Sequence, residues 1–347
     1  MTDTGTRAPS ARLASRGPLS AALLHALDNP TDAVEPITAW HDAVENTLRD
    51  ATDVVRDDDI QFTLFLLYSL HTGGLVDPDG VWEWNGDLLA GRARLEAAFE
   101  ARVRELVTVP DLPAAERGAV AAALFELTKP TPGPSLARHL AKKATLEQAQ
   151  EFLIQRSVYT LREADPHSWA IPRLHGRSKV ALVEIQSDEY GAGRPERQHA
   201  AMFARTVEGA GLDATYGAYL DVIPAVTFAS LNLMSMFGLN RRLRGATAGH
   251  LAAFEMTSSI PNRFFADGFR RLGFGEDVTE YFDEHVEADA VHEQIAAHDL
   301  AGSLAEDEPD LLADIFFGAS ASLTIDDLMA DHIRESWEAG RSSLRGR

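Results

Sequence analysis

The stretch His285-Val286-Glu287-Ala288-Asp289-Ala290-Val291-His292 places two histidines and an aspartate at relative positions 0, 4 and 7. At about 100° per residue, these three side chains fall on one narrow face of an α-helix and can converge on one point. Two imidazoles and a carboxylate suit iron or manganese better than a metal that prefers thiolate ligands. The stretch therefore predicts a helix with a candidate metal site, although a solvated acidic helix face with two incidental histidines has the same spacing.

The hydrophobic pattern is helical along almost the whole chain. The segment QFTLFLLYSLH, residues 61–71, is apolar all round and predicts a buried helix. No alternating apolar and polar run exceeds four or five residues, which indicates an all-α fold. We expect helices over residues 18–28, 36–54, 58–72, 87–107, 112–127, 135–165, 177–191, 195–210, 214–239, 246–257, 261–272, 276–298 and 308–340.

Proline content gives the clearest internal boundary. Three prolines lie within residues 129–134, and a helix cannot continue through them. We expect residues 131–340 to form the core helical bundle, and residues 18–130 to be an N-terminal helical extension packed on that core. Residues 1–17 are small, polar and weakly basic, and they are expected to be a disordered arm.

Charge and cysteine content exclude several classes of function. The formal net charge of −21 argues against nucleic acid and anionic membrane surfaces as partners. The chain has no cysteine, which excludes disulfides, zinc–thiolate sites, iron–sulfur clusters and cysteine nucleophiles. Residues 1–17 lack the apolar segment of a secretion signal, and no stretch approaches the roughly 18–20 apolar residues of a membrane span. We therefore expect a cytoplasmic protein whose metal ligands are histidine and carboxylate.

Three upstream sites carry acidic or histidine side chains in apolar helical surroundings. They are Glu163, the pair Glu189 and His199, and Glu255. Gly191, Gly193 and Pro195 lie between Glu189 and His199, so these two cannot share one face of a continuous helix. Each acid can also be read as a helix-end surface residue, and Glu255 as a cap partner of the following hydroxyl residues.

Taken together, these residues resemble the heme-oxygenase-like diiron oxidases and oxygenases, also described as iron-containing redox enzymes. That family has a first-helix Glu, then a Glu followed ten residues later by a His, and then H-x3-D-x2-H. The phrases EADPHSWAIPRL and EIQSDEYG and the block from DDDIQFTLFLLYSLH to VWEW are also similar, so that the resemblance covers most of residues 17–340. It implies a heme-oxygenase-like bundle of about seven core helices, binding two Fe(II) ions and using O2. The implied metal ligands are Glu163, Glu189, His199, His285, Asp289 and His292.

The resemblance also implies roles for these ligands. Glu163 would bridge the two irons, and the other five would be terminal ligands. Some family members that oxygenate nitrogen carry an extra carboxylate, and Glu255 looks like that seventh ligand. The four carboxylates would nearly neutralise two Fe(II) ions in a buried site. The candidates to accept the second N–H of a ligating histidine are Asp188, Asp165, Glu196 and Glu293, whereas His71, His167, His175, His250 and His298 are interpreted as structural.

The implied function is O2-dependent oxidation of a small amine or amino-acid-like metabolite. Glu255 favours N-oxygenation through a peroxo-diferric species. Two alternatives stay open: C–C cleavage, desaturation or decarboxylation of an amino acid or fatty acid, and a non-redox helical binding protein. The helix expected at 214–239 would contribute to the substrate site, with three arginines following it. The expected partners are a small molecule, an external electron donor and a second copy of the chain in a homodimer.

Overall fold

A computed structural model of the chain describes residues 13–130 and 132–346. Across these ranges the secondary structure is helical and no strand occurs, which confirms the all-α class. Between α14 and α15 the chain continues as a π-helix, Ile295–Gly302. In chain order the α-helices are α1 Pro18–Leu27, α2 Val34–Asp50, α3 Asp58–Thr72, α4 Gly86–Leu106, α5 Arg117–Leu127, α6 Leu136–Lys142, α7 Leu146–Thr160, α8 Asp165–Ser168, α9 Gly176–Glu189, α10 His199–Gly209, α11 Ala225–Leu239, α12 Arg244–Met256, α13 Ser259–Arg271, α14 Glu276–Gln294, α15 Ser303–Asp307 and α16 Leu312–Glu338.

The single helix expected over residues 135–165 is divided into α6 and α7. The cause is local, because Thr145 begins α7 with a capping box. Its hydroxyl accepts from the Gln148 N–H at 3.3 Å, and the Gln148 side chain accepts from the Thr145 N–H at 3.1 Å. Two otherwise unpaired backbone donors are satisfied in this way, and the chain can change direction before α7.

The chain divides into two compact units, with the boundary between Ala98 and Phe99, inside α4. In the first unit the carboxylate of Asp59 accepts from the backbone N–H groups of Leu19 and Ser20, at 2.7 and 2.9 Å, and so caps α1. Trp40 is fully buried and packs against Gly91, where a Cβ would overlap its ring. The domain boundary expected at residue 130 stays a prediction.

In the second unit, α12 and α16 lie in close contact. A Cβ added at Gly249 would overlap the carbonyl oxygen of Ile315, and one added at Gly318 would overlap that of Ala246. Glycine at both positions lets the two backbones approach each other, and α12 carries Glu255 and His250 in its buried face. The two glycines therefore set how closely α12 approaches α16.

Helix α14 is held from two sides, by α13 and by α10, and it carries both histidines of the quoted stretch. The π-helix that continues α14 packs against α5, α9 and α12. Buried apolar residues of the π-helix, Ala296, Leu300 and Ala301, belong to the same core cluster as Ile185 of α9 and Ala252 of α12. No helix in the described part of the chain is long and apolar enough to cross a bilayer.

Candidate metal centre

Glu163 lies in the turn that follows α7 and is only 4% exposed. The next residue, Ala164, has a φ of 77°, a left-handed conformation that is unfavourable for a side chain with a Cβ. Its carbonyl accepts from the Gln186 side chain at 2.8 Å. The backbone immediately after Glu163 is therefore held in a strained conformation by a helix from elsewhere in the bundle.

Glu189 is the last residue of α9 and His199 is the first residue of α10. The connection turns sharply at Gly191, which has a φ of 80°. A Cβ there would lie 2.6 Å from the Gln198 nitrogen, so the tight return of the chain requires glycine. The predicted break between Glu189 and His199 is confirmed, and the turn brings the carboxylate and the imidazole together.

The remaining candidates lie on α12 and α14. Glu255 is 5% exposed near the end of α12, and His285 and His292 are 5% and 1% exposed on α14. The backbone of Asp289 belongs to α14, but its side chain lies outside the described residues. The role of Asp289 as a metal ligand stays a prediction.

One group of ligand-type side chains consists of Glu163, Glu189, His199 and His285. One oxygen or nitrogen from each lies within 4.8 Å of the others, and all four residues are buried. His199 Nδ1 is 2.9 Å from Glu189 Oε2, and His285 Nε2 is 3.6 Å from Glu163 Oε1. Two carboxylates and two imidazoles are thus gathered from four separate helix ends or faces.

A second group consists of Glu189, Glu255 and His292, again within 4.8 Å of one another. His292 Nδ1 is 3.4 Å from Glu255 Oε2 and 3.8 Å from Glu189 Oε1. Glu189 belongs to both groups, and a different oxygen of its carboxylate faces each. A carboxylate placed in this way can join two metal ions.

Two of the histidines have their far nitrogens fixed by acceptors. His285 Nδ1 is 2.8 Å from the Tyr281 carbonyl, which can only accept, so Nδ1 carries the proton and Nε2 offers a lone pair toward Glu163. His292 Nε2 is 3.1 Å from the Asp188 carboxylate, which would hold the proton on Nε2 when a metal displaces the proton from Nδ1, the nitrogen that faces the second group. This is the arrangement in which histidine binds metals.

Asp188, one of the four acceptors named from the sequence, is thus the acceptor for a candidate ligand histidine. Asp165 instead accepts from the Tyr190 hydroxyl at 2.8 Å, and Glu293 accepts from the Gln294 side chain at 3.3 Å. Tyr281 was not identified from the sequence, although it lies one helical turn before His285. Its hydroxyl donates to both oxygens of Glu163, at 2.9 Å each.

The donor set fits a bound cation. His199 Nδ1 and His292 Nδ1 are buried and have no hydrogen-bond partner of acceptable geometry among the described residues, although carboxylate oxygens lie nearby. A buried polar atom without a partner destabilises the folded protein by about 1–3 kcal/mol. A cation between these nitrogens and oxygens would satisfy both kinds of atom.

The pKa shifts of the site residues also fit a bound cation. Burial alone would raise the pKa of Glu189, but the adjacent His199 outweighs it and lowers that pKa to about 2. Burial likewise opposes the charged form of His292, but the carboxylates of Glu255, Asp188 and Glu189 raise its pKa to about 9. Burial raises the pKa of Glu255. Without a metal the site holds protons between these groups, and metal binding would displace them.

A cavity of about 10 Å³, large enough for about one water molecule, lies against both groups. It is lined by Tyr159, Glu163, Ala164, His167, Gln186, Glu189, Leu251, Phe254, Glu255, Ser258 and His285. Tyr159 and Phe254 form its aromatic wall, with ring centroids 5.5 Å apart in an edge-to-face arrangement. This wall could not be predicted from the sequence, because both aromatic residues also fit an ordinary helical core.

The helix expected to bind substrate does not line this cavity. Its Leu231, Met234, Met236 and Phe237 are buried in α11 outside the lining. Three arginines near this helix have other partners. Arg173 donates to the carbonyls of Gly238 and Leu239, Arg242 pairs with Glu100, and Arg244 pairs with Glu308.

A second pair of buried histidines lies beside the site. His167 Nε2 is 3.2 Å from His250 Nδ1, both residues are 1% exposed, and His167 lines the cavity. Burial lowers the pKa of His167 to about 4, with an opposing contribution from Glu189, and burial and the neighbouring His167 lower the pKa of His250. Both are interpreted from the sequence as structural, and the structure places them outside the two groups.

A helical bundle that buries two such groups defines a candidate metal-dependent redox protein. The chain belongs to the family of iron-containing redox enzymes, whose sequence pattern matches residues 150–327, just over half of the chain. This confirms the family predicted from its residues, and the chain is an oxidoreductase of that family.

One curated relative is the nitrosourea synthase of Streptomyces achromogenes subsp. streptozoticus, with 28% identity over 163 residues. The match covers 47% of this chain and 34% of the relative, so the chain spans about a third of that protein. A CADD-like protein of unknown function from Nostoc punctiforme PCC 73102 has the same fold, with a TM-score of 0.50 and 15% identity over 63% of this chain and 97% of that one. A second crystal structure of a CADD-like protein from this organism gives a TM-score of 0.50 at 14% identity.

Proposed function

We propose that the chain is an O2-dependent non-heme diiron oxidase or oxygenase that acts on a small amine or amino-acid-like metabolite. The observation that carries the proposal is the pair of buried ligand groups joined by Glu189. The family is iron-containing, and histidine with carboxylate is a donor set that suits iron.

In this proposal Glu163, Glu189, His199 and His285 would hold one iron, and Glu189, Glu255 and His292 would hold the other. Asp289 is kept as a further ligand. The carboxylates of Glu163, Glu189, Glu255 and Asp289 would balance the charge of two Fe(II) ions, which a buried site requires. Bound Fe(II) would supply the electrons that reduce O2.

The chain's own residues prepare the site. Asp188 and the Tyr281 carbonyl fix the orientation and tautomer of His292 and His285. Tyr159 and Phe254 line one side of the cavity, whose volume is that of about one water molecule. The preference for a small substrate over a long fatty acid rests on the curated relative, because the polar lining residues include the candidate ligands themselves.

N-oxygenation is the preferred outcome for two reasons. Glu255, the carboxylate expected in nitrogen-oxygenating members, lies in the second group, and the curated relative is named for making a nitrosourea. Carbon oxidation of an amino acid, by cleavage, desaturation or decarboxylation, is the second candidate because it needs the same centre. A homodimer, an external electron donor and a cytoplasmic location stay predictions.

The test is anaerobic titration with Fe(II), followed by rapid mixing with O2, for the wild type and His285→Ala. We expect uptake near two irons and a transient visible absorption that is lost in the variant. His175→Ala, which changes a histidine whose side chain is 67% exposed, is the matched control and should behave as the wild type. Amines and amino acids that speed the decay of the transient would then be substrate candidates. Uptake in the wild type no greater than in His285→Ala would refute the proposal.

A further inference from the structure

Tyr281 makes an unusual contact with a predicted metal ligand. Its hydroxyl lies 2.9 Å from Glu163 Oε1 and 2.9 Å from Glu163 Oε2, and both residues are buried. Equal distances place the phenol oxygen in front of the gap between the two carboxylate oxygens. An ion chelated by both oxygens would occupy the same position.

The phenol is also held firmly where it is. The Tyr281 ring is 1% exposed, with its centroid 4.4 Å from that of His285 and 5.1 Å from that of Phe203. Its carbonyl accepts from His285 Nδ1 at 2.8 Å. Tyr281 therefore orients His285 through its backbone carbonyl and hydrogen-bonds to Glu163 through its side chain.

We propose that Tyr281 is a positioning residue that competes with the metal for Glu163. While the hydroxyl donates to both oxygens, Glu163 cannot chelate an ion, and chelation requires that the phenol first gives up its hydrogen bond. The first group therefore binds metal more weakly than its four ligands would allow. The inference rests on the proposed metal site but not on the oxidation chemistry.

Removing the Tyr281 hydroxyl distinguishes a competitor from a residue that supports its ligand, because the two roles change the metal affinity in opposite directions. An outer residue that supports a ligand weakens metal binding when it is removed, typically by 10–100-fold. A competitor strengthens binding when it is removed. Tyr281→Phe keeps the ring and its packing but removes the hydroxyl, which also leaves the metal-free Glu163 carboxylate without its donor. Both effects act in the same direction, and we expect Mn(II) to bind about tenfold more tightly.

The experiment is Mn(II) titration of the full chain, followed by electron paramagnetic resonance of the free ion, for the wild type and Tyr281→Phe. Tyr216→Phe is the matched control, because it removes a tyrosine hydroxyl that donates to the Val158 carbonyl at 3.3 Å and lies outside the cavity lining. Its Mn(II) affinity should stay within about twofold of the wild type. Unchanged or weaker binding by a folded Tyr281→Phe would overturn the inference.

A second readout uses the wild type and does not depend on the variant's stability. Loss of the hydrogen bond changes the near-ultraviolet absorption of a tyrosine, so saturation with Mn(II) should produce a tyrosine difference spectrum. Tyr216→Phe should keep this signal. Its absence from the wild type would also overturn the inference. No Mn(II) or Fe(II) uptake by the wild type would overturn the metal site itself, whereas normal uptake without these changes would refute only the competition.

Discussion

Two pairs of histidines are buried to the same degree in this bundle and differ in what their nitrogens face. His199 and His292 are 2% and 1% exposed, and each directs Nδ1 at carboxylates. His167 and His250 are both 1% exposed and face each other and aromatic rings. The pKa is raised in the first pair, because carboxylates outweigh burial, and lowered in the second, because burial dominates.

Burial does not decide whether a buried histidine is neutral or charged. The neighbouring carboxylates decide it: Glu189 raises the pKa of His199 most, and Glu255 raises that of His292 most. The site histidines therefore depend on these two carboxylates, whereas the second pair depends on close packing.

The largest effect is expected for Glu189→Gln, which keeps the shape of the side chain and removes its charge. Because Glu189 belongs to both groups, we expect both metal equivalents to weaken by more than about 100-fold, beyond the effect of an outer residue. Mn(II) titration measures this. Glu163→Gln and Glu255→Gln, which belong to one group each, should each weaken one equivalent. Loss of a single equivalent in Glu189→Gln would refute the shared role.

Gly249→Ala tests the packing on which the second pair depends. The new methyl group would overlap the Ile315 carbonyl and push α12 away from α16, so we expect a loss of about 3 kcal/mol in the free energy of unfolding. Gly118→Ala is the control, because its Cβ meets open space on the exposed face of α5 and should stabilise the protein by about 0.5–1 kcal/mol. Urea unfolding at neutral pH measures both. Equal effects of the two substitutions would contradict the close approach of α12 and α16.

The pH dependence of stability should separate the two pairs. His167 and His250 have lowered pKa values, so the unfolded chain binds more protons below about pH 6.5 and stability falls as the pH drops toward 4. His292 has a raised pKa, so the folded chain binds more protons and stability falls as the pH rises from about 6.5 to 9. We expect changes of about 1–3 kcal/mol on each side for the metal-free protein.

Urea unfolding between pH 5 and 9 measures this profile. His250→Gln should flatten the acidic side, and saturating Mn(II) should flatten the alkaline side because the metal replaces the proton. A profile that rises steadily through pH 9 without metal would contradict the charged state assigned to His292.

The smallest effect is expected at Ala164, which joins Glu163 of the site to the helix that carries His167. Its left-handed backbone is accessible to glycine without steric cost, so Ala164→Gly should raise the free energy of unfolding by about 0.5–1 kcal/mol. Thermal unfolding of the metal-free protein measures the change. Ala170→Gly, a buried alanine with φ of −78°, is the control and should destabilise. Destabilisation by both would mean that Ala164 stores no strain.

The sequence predicts the helical class and six residues that the structure gathers into the two groups. Helical spacing accounts only for His285 and His292 on α14, which fall in different groups, whereas the resemblance supplies the other four residues. The glycines between Glu189 and His199 also predict the turn correctly. The side chain of Asp289 lies outside the described residues and is untested.

Contacts between distant segments of the chain could not be predicted from the sequence. The resemblance makes Glu163 the bridging ligand, whereas the residue common to both groups is Glu189, a placement that depends on how α9, α12 and α14 pack. Tyr281 reaches Glu163 across 118 positions, and His167 reaches His250 across 83. Neither pair has a local spacing from which it could be read.

The π-helix Ile295–Gly302 has a consequence for changes in chain length. Its hydrogen bonds run from i to i+5, one residue more than in an α-helix, so it accommodates extra residues without breaking the rod that begins with α14. Deleting one residue there would turn the wide turn into regular α-helix, and the residues on either side would keep their faces. Enlarging a side chain is the harsher change, because Ala296, Leu300 and Ala301 are fully buried in the core. This segment should therefore tolerate the loss of one residue better than larger side chains.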